Sequence, residues 1–261
     1  TVSPREKSSI WCQAFEKLCK FMNVLRPRVI PSLLLHGESL VKTVRFGKFR
    51  YVGDPANTCR IFNELEVDEL MFLDILASKE KRVPNFSLLR EISTECFVPL
   101  SYGGGITSVD MAEKVLKIGF EKVVVNSAAL RNIDIVSDIS DKIGSQSLIV
   151  AIDVQKGWLG KEHCRGLSGK WNSGMEPVEW AQLVQSKGAG EILLTSINRE
   201  GTWEGFDLEL VSKVVGAVSI PVIAHGGAGC ISDISNAIKV AGASAVALGS
   251  MVVFQKKDMG V

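Results

Sequence analysis

No stretch of the 261-residue chain runs apolar for the roughly 18 to 20 residues that a membrane-spanning helix requires. Charge of one sign is missing too. The 30 Lys and Arg stand against 29 Asp and Glu, a net +1, so nothing points to a nucleic-acid or other polyanion surface. Histidines number three, none at metal spacing, and the six cysteines (Cys12, Cys19, Cys59, Cys96, Cys164, Cys230) contain no CxxC pair. Scattered in this way, the cysteines read as free thiols in a reducing cytoplasm, and no metal or other cofactor is expected. A signal peptide is not expected either, because the short apolar stretch near the start is broken by Gln13, Glu16 and Lys17.

What is present is a repeated unit. Residues 98–129 read as strand, glycine turn, helix and strand. Gly103, Gly104 and Gly105 let the backbone approach a ligand and leave N–H groups free to point at it. Thr107, Ser108 and Asp110 offer N-cap oxygens to a helix with Met111, Val115, Leu116 and Ile118 at helical spacing. The next strand, 122–125, ends in Asn126 and Ser127. If the two strands are parallel neighbours, turn and polar end together form a phosphate clamp.

The pattern recurs. Residues 220–229 (IPVIAHGGAG) repeat VPLSYGGGI, Pro221 falling about 122 positions after Pro99. Residues 245–250 (AVALGS) answer VVVNS, 191–196 (EILLTS) answer 69–74 (ELMFLD), and 148–154 (LIVAIDV) answer 29–35 (VIPSLLL). Four strands in the same order in each half predict an α/β fold, a (β/α)8 TIM barrel built from two duplicated half-barrels. Such a barrel needs roughly 250 residues and one large core, which 46% apolar content can supply. Strands are expected at 28–35, 69–75, 98–102, 122–125, 148–154, 191–197, 222–225 and 245–250. Residues 36–54, with Lys42, Arg45, Lys48 and Arg50, are expected as a long loop on the catalytic face, and 155–175 as a second polar excursion. Residues 1–21 are expected to be an N-terminal extension outside the fold, leaving 22–261 as a single barrel domain whose C-terminal helix is missing.

The pieces Gly53-Asp54-Pro55, Asp68-Glu69-Leu70, Phe72-Leu73-Asp74-Ile75, Gly103-Gly104-Gly105-Ile106, Val150-Ala151-Ile152-Asp153 and the run 190–196 resemble the cyclase subunit of imidazole glycerol phosphate synthase, the HisF family. That resemblance runs from Val24 to the end. It implies a glutaminase (HisH-like) partner docked on the N-terminal face of the barrel, ammonia passing up through it, and a substrate with two phosphates at the top. The two phosphate clamps would be Gly105, Asn126 and Ser127 on one side and Gly201, Gly227, Gly249 and Ser250 on the other, with Gly104, Thr195, His225 and Gly226 as further phosphate- or substrate-binding residues and Lys42 also at the site. The plainer reading is that these glycines serve tight turns. His225 stands where the family usually has a small serine. Arg28, Glu69, Lys122 and Glu191 match the family's ring of charges at the ammonia entrance, and equally they could be an internal salt-bridge plug.

The family uses two aspartates for acid and base work. Asp153 matches the one on strand five, as catalytic residue, although a buried structural acid would look the same. In strand one the sequence reads Ser32-Leu33-Leu34-Leu35, with Leu34 at the other position. With Leu40-Val41-Lys42-Thr43, that motif resembles a diverged branch associated with amidation of bacterial surface sugars. The resemblance therefore implies ammonia-dependent amidation of a surface sugar, with a sugar amidotransferase as a further partner. The alternatives are the histidine-pathway cyclase and a non-catalytic ammonia-conducting scaffold.

Overall fold

In the computed structural model, which describes residues 27–254, the first strand shows how side chains are shared between two cores. Strand β1 (Arg28–His36) sends Ile30 into a closed sheet and Leu33 and Leu35 outward beneath helices. Alternate side chains take opposite faces, and both faces are buried, so the strand reads as almost unbroken apolar sequence.

The strands that follow are β2 (Ser39–Lys42), β3 (Arg50–Gly53), β4 (Leu70–Asp74), β5 (Leu100–Gly103), β6 (Lys122–Val125) and β7 (Leu148–Lys156). They continue as β8 (Glu162–Gly166), β9 (Trp171–Asn172), β10 (Glu191–Ser196), β11 (Val222–His225) and β12 (Ala245–Leu248). Eight of them, β1, β4, β5, β6, β7, β10, β11 and β12, pair in parallel with their neighbours, and β12 returns to pair with β1. That is a closed parallel barrel surrounded by helices, the expected (β/α)8 architecture. Its lumen is filled by Ile30, Met71, Val124, Ile149, Ala151, Leu193, Ile223, Ala245 and Ala247. A larger apolar cluster fills the space between the strands and the outer helices.

Polar caps place the helices. Asp54 Oδ1 accepts from Asn57 N at 2.9 Å to start α1 (Pro55–Glu64), and Asn85 caps α2 (Phe86–Glu95). Of the three candidates Thr107, Ser108 and Asp110, Ser108 is the N-cap of α3 (Val109–Ile118), and Asp110 sits in its first turn. Each such cap stabilises its helix by about 1 kcal/mol. Next come α4 (Ser127–Arg131), α5 (Asp134–Ile143), α6 (Pro177–Ser186), α7 (Leu208–Val215), α8 (Ile231–Lys239) and the short α9 (Ser250–Val253). No helix among the described residues is long and apolar enough to cross a membrane.

Two expectations need correction. Residues 36–54 are not a plain loop, because β2 folds back antiparallel on β1 and β3 pairs with β2. Residues 155–175 likewise hold β8, antiparallel to β7, and the short β9. Both excursions prolong a barrel strand beyond the rim and turn back, so their backbone groups are satisfied within the sheet. The expected extension at 1–21 lies outside the described residues, as does the chain beyond 254 where a C-terminal helix was expected to be missing. Cys59, Cys96 and Cys164 are buried free thiols and Cys230 is exposed.

Candidate functional site

At the C-terminal rim the strand ends enclose a cavity of about 680 Å³. Leu34, Gly104, Gly105, Asn126, Ser127, Asp153, Thr195 and His225 line it, and Phe46, Gly47, Lys48 and Phe49 from the β2–β3 connection form one wall. The turn after β5 demands glycine. Gly104 has φ +126°, and a Cβ there would come 2.7 Å from the carbonyl oxygen of Asp74. Asp74 in turn accepts from the N–H groups of Leu76 and Ala77, at 3.0 and 2.9 Å, and pairs with Arg82 at 3.5 Å.

Asn126 follows β6 and joins this turn to the acid. Its Nδ2 reaches Ala151 O at 2.9 Å, and Asp153 Oδ2 and Arg165 O at 3.3 Å each. Ser127 Oγ accepts from Leu167 N at 2.9 Å, which ties the β8–β9 connection to the rim. Burial pushes the Asp153 carboxyl up to about 7, the bond from Thr195 pulling it down and the nearby Glu200 adding to the rise. A carboxyl balanced near neutrality suits proton transfer in either direction.

Lys42 lies beneath the β2–β3 connection rather than on the cavity wall. Its Nζ donates to Ser32 O, and a Cβ on Gly249 would come 3.2 Å from it. Burial lowers this ammonium to about 8, while Glu200 acts to raise it. Glu200, buried itself, accepts from Thr43 Oγ1 and Phe46 N at 3.0 Å each and so pins the connection over the rim. Burial pushes the Glu200 carboxyl up against those bonds. His225 stays neutral, held down to about 3 by burial first and by Lys42 second.

At the opposite end of the lumen the four charged strand-start residues meet. Arg28 reaches Glu69 at 2.6 Å and Glu191 at 3.1 Å, and Lys122 reaches Glu69 at 3.4 Å and Glu191 at 3.0 Å. Cations and carboxylates alternate around a closed ring. The lumen between this ring and the rim cavity is lined mainly by apolar side chains.

The profile described as "Histidine biosynthesis protein" matches residues 28–258. The chain belongs to this histidine biosynthesis family. Among its relatives is a Pseudomonas aeruginosa protein provisionally described as imidazole glycerol phosphate synthase subunit hisF2, 47% identical over 238 residues, 91% of this chain and 95% of that one. A Vibrio vulnificus protein provisionally described as subunit hisF3 of the same synthase is 43% identical, covering 91% and 92%. The imidazole glycerol phosphate synthase subunit HisF of Alkaliphilus metalliredigens is 40% identical over 82% of this chain and 85% of its own. These matches make the chain a HisF-family protein.

Within this HisF-family barrel, Gly104, Gly105, Asn126, Ser127, Asp153, Thr195 and His225 share one cavity. Gly201, Gly226, Gly227, Gly249 and Ser250 are not among its lining residues. A Cβ on Gly201 would meet Thr43 O, one on Gly226 would meet Ser196 O, and one on Gly227 would meet Gly205 O. Ser250 opens the short helix α9. Glu200 was missed in the sequence, although its place beside Gly201 in a turn after a barrel strand was a usable signal.

Proposed function

We propose that the chain is the ammonia-using cyclase subunit of an imidazole glycerol phosphate synthase, acting in histidine biosynthesis. The observation that carries this reading is the Asp153 carboxyl at the end of a barrel strand, in a cavity that also contains a glycine turn and the polar pair Asn126 and Ser127. The relatives' descriptions support it and favour the histidine-pathway alternative over sugar amidation. Backbone N–H groups at Gly104 and Gly105 would take one phosphate. Gly201, Gly227, Gly249 and Ser250 would take the other, with Lys42 beside Gly249. A glutaminase docked on the N-terminal face would deliver ammonia at the charged ring. The apolar lumen favours passage of neutral NH3 over ammonium, because an unpaired charge there is costly.

Leu34 favours a second reading. At the cavity wall and only 7% exposed, it offers no proton where strand one would carry the second acid. The same ammonia-using barrel would then act on a different substrate, a surface sugar handed on to an amidotransferase. Expression in a histidine auxotroph lacking its cyclase subunit separates the two. Growth without histidine, with ammonium-driven turnover of the bisphosphorylated substrate by the purified chain, is expected on the first reading. Absence of both, in a folded protein, overturns it.

A further inference from the structure

Three side chains stand side by side on three successive barrel strands. Asp153 on β7 is in register with Thr195 on β10, and Thr195 with His225 on β11. Thr195 Oγ1 lies 3.1 Å from His225 Nδ1, and on its other side Thr195 is the cross-strand neighbour of Asp153, whose carboxyl it acts to hold down. All three line the rim cavity. A threonine hydroxyl has one hydrogen. When it is given to an ionised Asp153, Oγ1 can only accept from His225, which fixes His225 as the Nδ1–H tautomer. Nε2 is then a bare acceptor.

We propose that Asp153, Thr195 and His225 form a proton relay, in which His225 Nε2 takes or gives the proton at a second point of the rim while Asp153 holds it. The proposal rests on the cyclase reading for the reaction served, and on the strand register and the Thr195–His225 contact for the relay itself. Strands lie about 4.8 Å apart, so the relay moves the site of proton exchange by roughly 10 Å. Its balance is simple. A substrate proton goes to Nε2, the Nδ1 proton goes to Thr195 Oγ1, and the Thr195 proton goes to Asp153. Asp153 ends neutral, Thr195 is again a hydroxyl, and the imidazole changes tautomer without ever carrying charge.

That last feature matters because an imidazolium is disfavoured here. The site is buried, and Lys42 stands near on β2. Alone, His225 would be a feeble base; coupled through Thr195, it works with the basicity of Asp153. The other groups facing the relay are Glu200 from the turn after β10, and Cys164 and Arg165 from β8. Cys164, pushed up to about 12 by burial and then by Asp153, keeps its proton. With Leu34 at the strand-one position, the relay supplies a second proton-handling point on β11.

The tautomer can be read directly by two-bond 1H–15N correlation on full-length protein labelled with 15N-histidine, from about pH 5.5 to about 8.5. His225 is assigned by its loss in His225→Asn. The expected result is Nδ1–H on the alkaline side and Nε2–H on the acid side, exchanging near the Asp153 midpoint of about 7. The exchange should persist in Thr195→Ser and vanish in Thr195→Val and Asp153→Asn, with His36 and His163 signals unchanged as the check on folding. One tautomer throughout, or an exchange that survives in Thr195→Val, overturns the relay. In ammonium-driven turnover, His225→Asn and Thr195→Val should each lower kcat about 100-fold with KM nearly constant, the double variant being no worse than either. Multiplicative losses overturn it. If wild-type protein turns over no bisphosphorylated substrate, the cyclase reading fails, and the tautomer measurement alone decides the relay.

Discussion

Lys122 Nζ lies 3.0 Å from Glu191 Oε1, joining β6 to β10 across the floor of the lumen. The same ammonium also reaches Glu69, and Arg28 bonds both carboxylates from the other side. Each charge in the ring therefore has two partners of opposite sign, which offsets the cost of holding four charged side chains at the part-buried starts of strands.

Lys122→Met should thus destabilise the barrel by about 2 kcal/mol, less than the 3 to 5 of a fully orphaned buried pair, because Arg28 remains with both carboxylates. Thermal melting measures this. If the ring is an ammonia entrance, the folded variant should lose glutamine-driven turnover while ammonium-driven turnover persists. Equal loss of both activities, in a variant that melts as expected and binds a glutaminase as the parent chain does, would make the ring a structural plug.

Gly104→Ala should destabilise by more than about 2 kcal/mol, since its φ of +126° is closed to other residues and the new Cβ would press on Asp74. Gly37 is the control. Its φ is +65° with nothing within 4 Å of an added Cβ, so Gly37→Ala should cost only about 1 kcal/mol. Urea unfolding compares the two. Equal costs would mean that the close approach to Asp74 does not govern the turn.

The barrel was legible in the sequence because buried parallel strands leave long apolar runs, and the two glycine turns marked where they end. The charged ring was legible for a related reason: Arg28, Glu69, Lys122 and Glu191 each open an apolar strand, where an ion stands out. The excursions at 36–54 and 155–175 were not legible as strands. Their pairing is with β1 and β7, a tertiary fact, and their polar residues show no alternation that would announce it. Nor could sequence show that Thr195 joins Asp153 to His225, since those residues are far apart in the chain and meet only through register.

Asp153 and His225 bias stability against pH in opposite directions. A carboxyl raised from its ordinary 3.8 to about 7 contributes stability at low pH that is lost as pH rises through 7. A histidine lowered from 6.5 to about 3 contributes stability above 6.5 that is lost as pH falls toward 3. Between about pH 4 and 6.5 the two slopes cancel. Asp153→Asn should therefore unmask stability that rises with pH across this window, and His225→Asn stability that falls, each by on the order of 2 to 4 kcal/mol over the window. Denaturant midpoints at several pH values would detect either slope; flat profiles in both variants would mean that neither group is perturbed.

Leu34→Asp asks whether strand one needs its acid. Leu34 is only 7% exposed, so the new carboxyl would be drawn toward its neutral form, and losing the leucine would cost about 2 to 4 kcal/mol. Melting at pH 6 and 8 should show the larger penalty at the higher pH, where a buried carboxyl resists ionisation. If the relay through Thr195 already supplies the second proton-handling point, the new acid has no vacant role. Ammonium-driven turnover should then change by less than about threefold, well short of the effect of a positioned general acid or base. A rise of about 100-fold would argue the opposite: that the native rim lacks an acid for this reaction, and that Leu34 marks a barrel suited to a different substrate. The comparison must use ammonium rather than glutamine, so that any disturbance of the floor ring or of glutaminase docking does not enter the rate.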